Sequence, residues 1–194
     1  MNAALLMGQA GLLDGLQVTG DGLRMAKEYE FLRTKFGLTP MDGSIWKHGR
    51  LRPQNSPELR IRQFAQLLYQ SEALLSKILD RDDLKELVPL FEVDKMGKSS
   101  IDILLINTVI PYKYAYAMHR RDVRRAEEAV TLMEHIAPEN NSIIRQWRIL
   151  GQEVKNAADS QALLHLYQNY CQHHECINCE VGYQIFQDKQ LRLF

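Results

Sequence analysis

"IDILLINTVIPYKYAYA", residues 101–117, is the longest apolar run of the chain, and its reading decides the fold. Apolar positions fall nearly all round a helical period, as expected of a central helix rather than of an amphipathic one at the surface. Asp102, Asn107 and Lys113 interrupt it, and it falls short of the roughly 20 uninterrupted apolar residues that span a bilayer. We therefore read it as a buried core helix, without a membrane partner, that Pro111 ends or kinks by removing a backbone donor.

The segments on either side carry helical periodicity as well. Residues 21–37 place Leu23, Ala26, Tyr29, Leu32 and Phe36 on one face, with Asp21 as N-cap and Gly37 as terminator. Residues 56–80 open with Ser56 as cap and Pro57 at the first helical position. They bury Ile61, Phe64, Ala65 and Leu68 and allow a break near Ser71. Downstream, residues 122–151 read as two helices parted at "APENN" (137–141), with Val123, Ala126, Val130 and Met133 on one stripe and Ile143, Ile144, Trp147 and Leu150 on the other. An antiparallel pair is expected of them. Residues 159–171 carry Leu163, Leu164, Tyr167 and Tyr170 and deliver Cys171 to the loop that follows. No stretch alternates strictly with β-branched residues, and no segment repeats at a fixed period. The fold class is all-α: an irregular bundle of short antiparallel helices in a single domain, 1–194, with 171–186 a cysteine-rich C-terminal cap.

At 194 residues the chain suits one domain with a sizeable core, and 45% hydrophobic with 25% charged residues is the balance of a soluble globular protein. Lys and Arg number 24 against 24 Asp and Glu, so no global field draws the protein to nucleic acid or anionic lipid, and any such attraction is local. "MNAALLMGQAGLLDG" lacks the basic start and cleavage site of a secretory signal, and an odd count of three cysteines is no disulfide framework. A cytoplasmic location is the expectation.

Several motifs in one order, "GQAGLL" (8–13), "KEYEFLRTKFGL" (27–38), "WKHGRLRPQNSPELRIRQFAQLL" (46–68), "INTVIP" (106–111) and "YCQHHECINCEVG" (170–182), resemble the C-terminal part of DUF2851, a bacterial family of unknown function. The resemblance includes Arg50, Arg52, Pro53, Arg60 and the three cysteines. It implies longer relatives with an N-terminal part rich in acidic and histidine residues, somewhat like a nuclease core, which would make this chain an excised domain or a short member. Members often have Phe in the "RP.NFP" stretch where this chain has Ser56. The family lends no activity.

Two constellations carry chemistry. Cys171-x4-Cys176-x2-Cys179 provides three thiolates, and a plant-type iron–sulfur site needs a fourth cysteine that the chain lacks. Zinc accepts Cys3His, with His173 or His174 as fourth ligand, and a closed site of that kind is structural. The alternative is three thiols packing a cap, or two of them paired on oxidation. The second constellation is basic: Lys47, Arg50, Arg52, Arg60 and Arg62 beside Trp46, and Lys113, Arg120, Arg121, Arg124 and Arg125 beside Tyr112, Tyr114 and Tyr116. Arginine forks suit phosphates and exposed aromatics stack bases, so nucleic acid or a protein partner is expected there. The competing reading is a solvated helix face paired with Glu127 and Glu128, above buried tyrosines.

No G-x-S-x-G, phosphate-binding glycine loop or H-E-x-x-H is present, and "DKMGKSS" (94–100) introduces a helix instead of a P-loop. The function expected is a non-catalytic accessory or interaction domain with a basic surface and a structural zinc knuckle. The alternative is a portion of a nuclease-like enzyme whose catalytic core lies N-terminal to it.

Overall fold

A computed structural model describes residues 2–14, 20–48 and 55–191. Eleven α-helices account for most of these residues, joined by 3-10 turns and one π stretch, and there is no strand among the described residues. The protein is all-α. Two compact units divide it, Met1–Arg81 with Lys85–Ile101, and Asp82–Leu84 with Asp102–Phe194.

In the first unit, α1 (Asn2–Gln9) packs on α2 (Gly20–Phe36) and on α3 (Pro57–Gln70). Ser56 Oγ accepts from Leu59 N–H and Pro57 opens the helix, so α3 starts where its cap and missing N–H dictate. It ends at Ser71; Ala73 then turns left-handed, and α4 (Leu74–Asp80) follows. Met7, Ala10, Leu12, Leu13 and Tyr29 form the core, closed by Met25, Leu38, Trp46 and Ile61. Glycine makes two approaches possible. The Tyr29 ring lies where a β-carbon on Gly8 would be, 2.1 Å from such an atom, and Gln9 Nε2 donates to the Tyr29 hydroxyl at 2.8 Å. Gly11, at φ +66°, lies against Met41 O, while Gly43 lies against Gly11 O. That contact fastens the 38–48 loop to the end of α1, together with Met41 N–H donating to Gln9 O and Trp46 Nε1–H to Ala10 O, both 2.8 Å.

The short helices α5 (Leu84–Leu87) and α6 (Lys98–Leu104) precede a π stretch, Leu105–Val109, and α7 (Ile110–His119). Pro111 does not end this helical path. Ile110 N–H donates five residues back to Leu105 O, and the wider winding carries the chain past a proline that has no N–H to give. Nor is the run buried all round. Ile101, Leu105, Ile106, Val109, Ile110 and Ala117 are buried, whereas Ile103, Tyr112, Tyr114, Tyr116 and Met118 are exposed.

In the second unit α8 (Val123–Thr131) folds back on α7 through a three-residue turn. Asp122 N–H donates to Ala117 O, Arg121 takes φ +60°, and Asp122 Oδ1 then caps α8 by accepting from Arg125 N–H. The expected pairing of α8 with α9 (Ser142–Ile149) is replaced by two others, α7 with α8 and α9 with α10 (Ala157–Asn169). The cause is the extended 136–141 link, which Ala157 N–H to Ile136 O and Glu139 N–H to Ser160 Oγ tie to the first turn of α10. Ile144, Val154 and Leu164 form its core with Ile143, Trp147 and Leu163.

Leu23, Phe36, Phe64, Leu68, Val123, Val130 and Leu150, expected inside, are exposed. The residues that are buried on these helices include Gly22, Ala65, Ala126 and Ala129, small enough to let backbones approach and to leave larger neighbours at the margin. Among the described residues no helix is long and apolar enough to cross a membrane.

Candidate functional site

Of the first basic cluster, Arg50 and Arg52 lie outside the described residues. Arg60 is an internal strut, its guanidinium donating to Gln63 Oε1 and Ser100 Oγ, both at 2.9 Å, and also to Asn55. Trp46 is half-buried with its N–H committed to Ala10, so its ring is core and offers no base-stacking platform. Arg62 is exposed on α3.

The second cluster is reshaped more. Lys113 is buried, with Nζ 3.2 Å from Asp82 Oδ1, and leaves the surface set. Arg124 pairs with Glu128 one turn on, and Arg125 Nε lies 3.8 Å from Asp122. Arg121 occupies the left-handed turn position instead of sharing a helix face with Arg124 and Arg125. Arg120 and Arg121 are exposed and carry no ion pair among the described residues. The tyrosines are not buried beneath: Tyr112, Tyr114 and Tyr116 are 38%, 42% and 40% exposed. Tyr112 and Tyr116 stack, with centroids 6.4 Å apart and planes at 27°. At spacings of four, Tyr112, Tyr116 and Arg120 form one row along the helix.

The cysteines meet at the junction of α10 and α11 (Glu180–Leu191). A 3-10 turn, Cys171–His173, leads to His174 at φ 58°, and both histidines are exposed. Cys179 N–H donates to Cys176 O at 3.4 Å, closing the C-x2-C turn, and Cys179 O accepts the first helical bond of α11 from Tyr183 N–H at 2.8 Å. Gly182 admits this fold, because the Cys176 carbonyl lies where its side chain would begin. Cys179 is buried, Cys171 half-buried and Cys176 exposed, all as free thiols. Burial raises the Cys171 pKa, and the neighbouring Cys179 and Cys176 sulfurs raise it further. Among the described residues no three His, Cys, Asp or Glu side chains stand as a metal-ligand group.

A profile of the protein family described as "Protein of unknown function (DUF2851)" matches residues 1–96 and 92–142. The chain belongs to the DUF2851 family. No curated protein and no solved structure matches it. The DUF2851 match takes in α7, its exposed tyrosines and the arginines of the following turn, and the cysteine corner lies beyond it.

One feature of this DUF2851 member escaped the sequence reading. In the second unit an open cavity of about 420 Å³ is lined by Asn107, Glu139, Asn141, Ser142, Ile143, Gln161, Leu164, His165 and Gln168. Its polar residues come from three segments far apart in sequence, the π stretch, residues 139–142 and α10. Only the amide-rich stretch "PENNS" (138–142) hinted at a site, and it read as a helix break.

Proposed function

We propose that this DUF2851 member is a non-catalytic helical interaction domain that engages a nucleic-acid strand through α7 and the turn behind it. The observation that carries this reading is the exposed Tyr112/Tyr116 stack in line with Arg120 and beside Arg121. Aromatic faces stack on bases whatever their identity, and the two guanidiniums face phosphates without competition from neighbouring carboxylates. Arg124 and Arg125 contribute less, since Glu128 and Asp122 already neutralise them.

Fluorescence anisotropy with a labelled single strand at low salt tests it. Two phosphate contacts on a single strand imply about sevenfold weaker binding from 50 to 200 mM salt, a slope of roughly −0.7 per phosphate. Tyr116→Ala weakens binding at least about fivefold, the low end of a stacking contact. Binding that is absent at tens of micromolar protein, or unchanged in Arg120→Ala/Arg121→Ala, overturns the proposal.

To the cysteine corner we assign a structural zinc ion held by Cys171, Cys176 and Cys179 with His173 or His174. The closed C-x2-C turn, which sets Cys176 and Cys179 at the spacing zinc sites use, supports it. The ion draws the exposed Cys176 side chain onto its two neighbours, and binding so coupled to ordering is usual for structural zinc.

A further inference from the structure

The cavity in the second unit joins two stretches that take no part in strand binding by α7 or in the cysteine corner, "INTVIP" and "APENN". Asn107 stands in the π stretch, a winding that α-helices use as isolated bulges, frequently at functional sites. Its Nδ2 donates to Glu139 Oε1 at 3.1 Å and back to Ile103 O at 3.1 Å. Asn141 Nδ2 approaches the other carboxylate oxygen of Glu139 at 3.4 Å. Behind the carboxylate, Glu139 N–H donates to Ser160 Oγ at 3.1 Å, and Ser160, fully buried, donates on to Ala157 O at 3.0 Å. Glu139 is therefore held from both oxygens and from its backbone.

A carboxylate offers about four lone-pair sites. The two amides take one on each oxygen and leave one on each for the donors of a ligand. That pattern is complementary to a planar group with two adjacent N–H donors. His165 adds the opposite polarity in the tautomer whose Nδ1 accepts from Asn169 Nδ2, 3.1 Å away, because Nε2 is then an N–H donor. Leu164 supplies an apolar wall, and about 420 Å³ lies within the roughly 300–1,000 Å³ usual for small-molecule sites.

We propose that this cavity binds a planar ligand through two adjacent N–H groups on Glu139, as on the edge of guanine or on a guanidinium. The site stands independently of strand binding by α7. Guanosine has the N–H pair of the base edge together with carbonyl and ring-nitrogen acceptors for the His165 donor; a guanidinium has only the first.

Heteronuclear NMR titration of the full chain with guanosine, inosine, adenosine and arginine amide tests the site and its source. Guanosine or arginine amide shifts the amide signals of residues 107, 139 and 141, saturating at millimolar ligand or below. A guanosine preference identifies a base and an arginine amide preference a guanidinium. Inosine, lacking the exocyclic amine, binds at least tenfold more weakly than guanosine. Glu139→Gln weakens the preferred ligand at least tenfold, and Gln168→Ala, on the exposed rim, keeps the fold and serves as the variant should Glu139→Gln unfold, with a loss of twofold or more. No saturable shift with any of the four, equal binding of adenosine, or unchanged affinity in both variants overturns the proposal.

Discussion

Lys113 Nζ lies 3.2 Å from Asp82 Oδ1, with the lysine side chain 7% exposed and the aspartate 52%. The ammonium is on the buried stripe of α7 and the carboxylate is half in water, so the pair brings one charge inward to meet another at the surface. Removing Asp82 leaves a buried cation with one partner fewer. Asp82→Ala should destabilise the protein by about 1–2 kcal/mol, less than the roughly 3–5 of a fully buried pair because water already screens the carboxylate. Urea melts of Asp82→Ala, Lys113→Met and the double variant measure the coupling. In the Lys113→Met background Asp82→Ala should cost nothing further, and equal costs in both backgrounds would show that the two charges do not interact.

Gly8 and Gly20 make a contrast within one unit. A β-carbon on Gly8 runs into the Tyr29 ring, while one on Gly20 meets nothing within 4 Å. Gly8→Ala should therefore destabilise by about 1–3 kcal/mol through overpacking. Gly20→Ala should stabilise by up to about 1 kcal/mol, by restricting the unfolded chain. Chemical denaturation of the two variants checks the pair, and the opposite signs are the expected result.

Arg121 occupies a left-handed position that favours glycine, at φ +60°. Arg121→Gly should raise stability by about 0.5–1 kcal/mol while it lowers affinity for a single strand. Thermal melts and anisotropy on the same preparation read both effects. A gain in stability with unchanged binding would remove Arg121 from the interface.

The cysteine corner makes a prediction about order of reaction. With zinc removed by chelator, maleimide should modify exposed Cys176 first, Cys171 next and buried Cys179 last. With one equivalent of zinc bound, all three should be protected together, and mass spectrometry follows both experiments. Protein that takes up no zinc, with the same three rates before and after its addition, would leave a cysteine-lined cap.

The sequence by itself determined that this chain is helical and where several helices begin and end. Ser56 with Pro57, Gly37, and the break at Ser71 act through backbone geometry and hydrogen bonds only a few residues long, so they are legible without a third dimension. It also set the three cysteines within nine positions, and the hydrogen-bonded turn from Cys176 to Cys179 closes the C-x2-C end of that stretch. Tertiary structure decided the rest. Whether Arg60 is a ligand for phosphate or a strut depends on Ser100, forty residues away, and whether Lys113 is surface or core depends on Asp82. The same holds for the large apolar residues left exposed: periodicity marks a face, but small residues at the closest approach decide how much of it is covered. Glu139 and Asn107 are 32 positions apart and each unremarkable alone; a π turn in one segment and a clamp to Ser160 in the other bring amide to carboxylate at 3.1 Å. Such a contact is chosen by the packing of whole helices, and no local rule of spacing contains it.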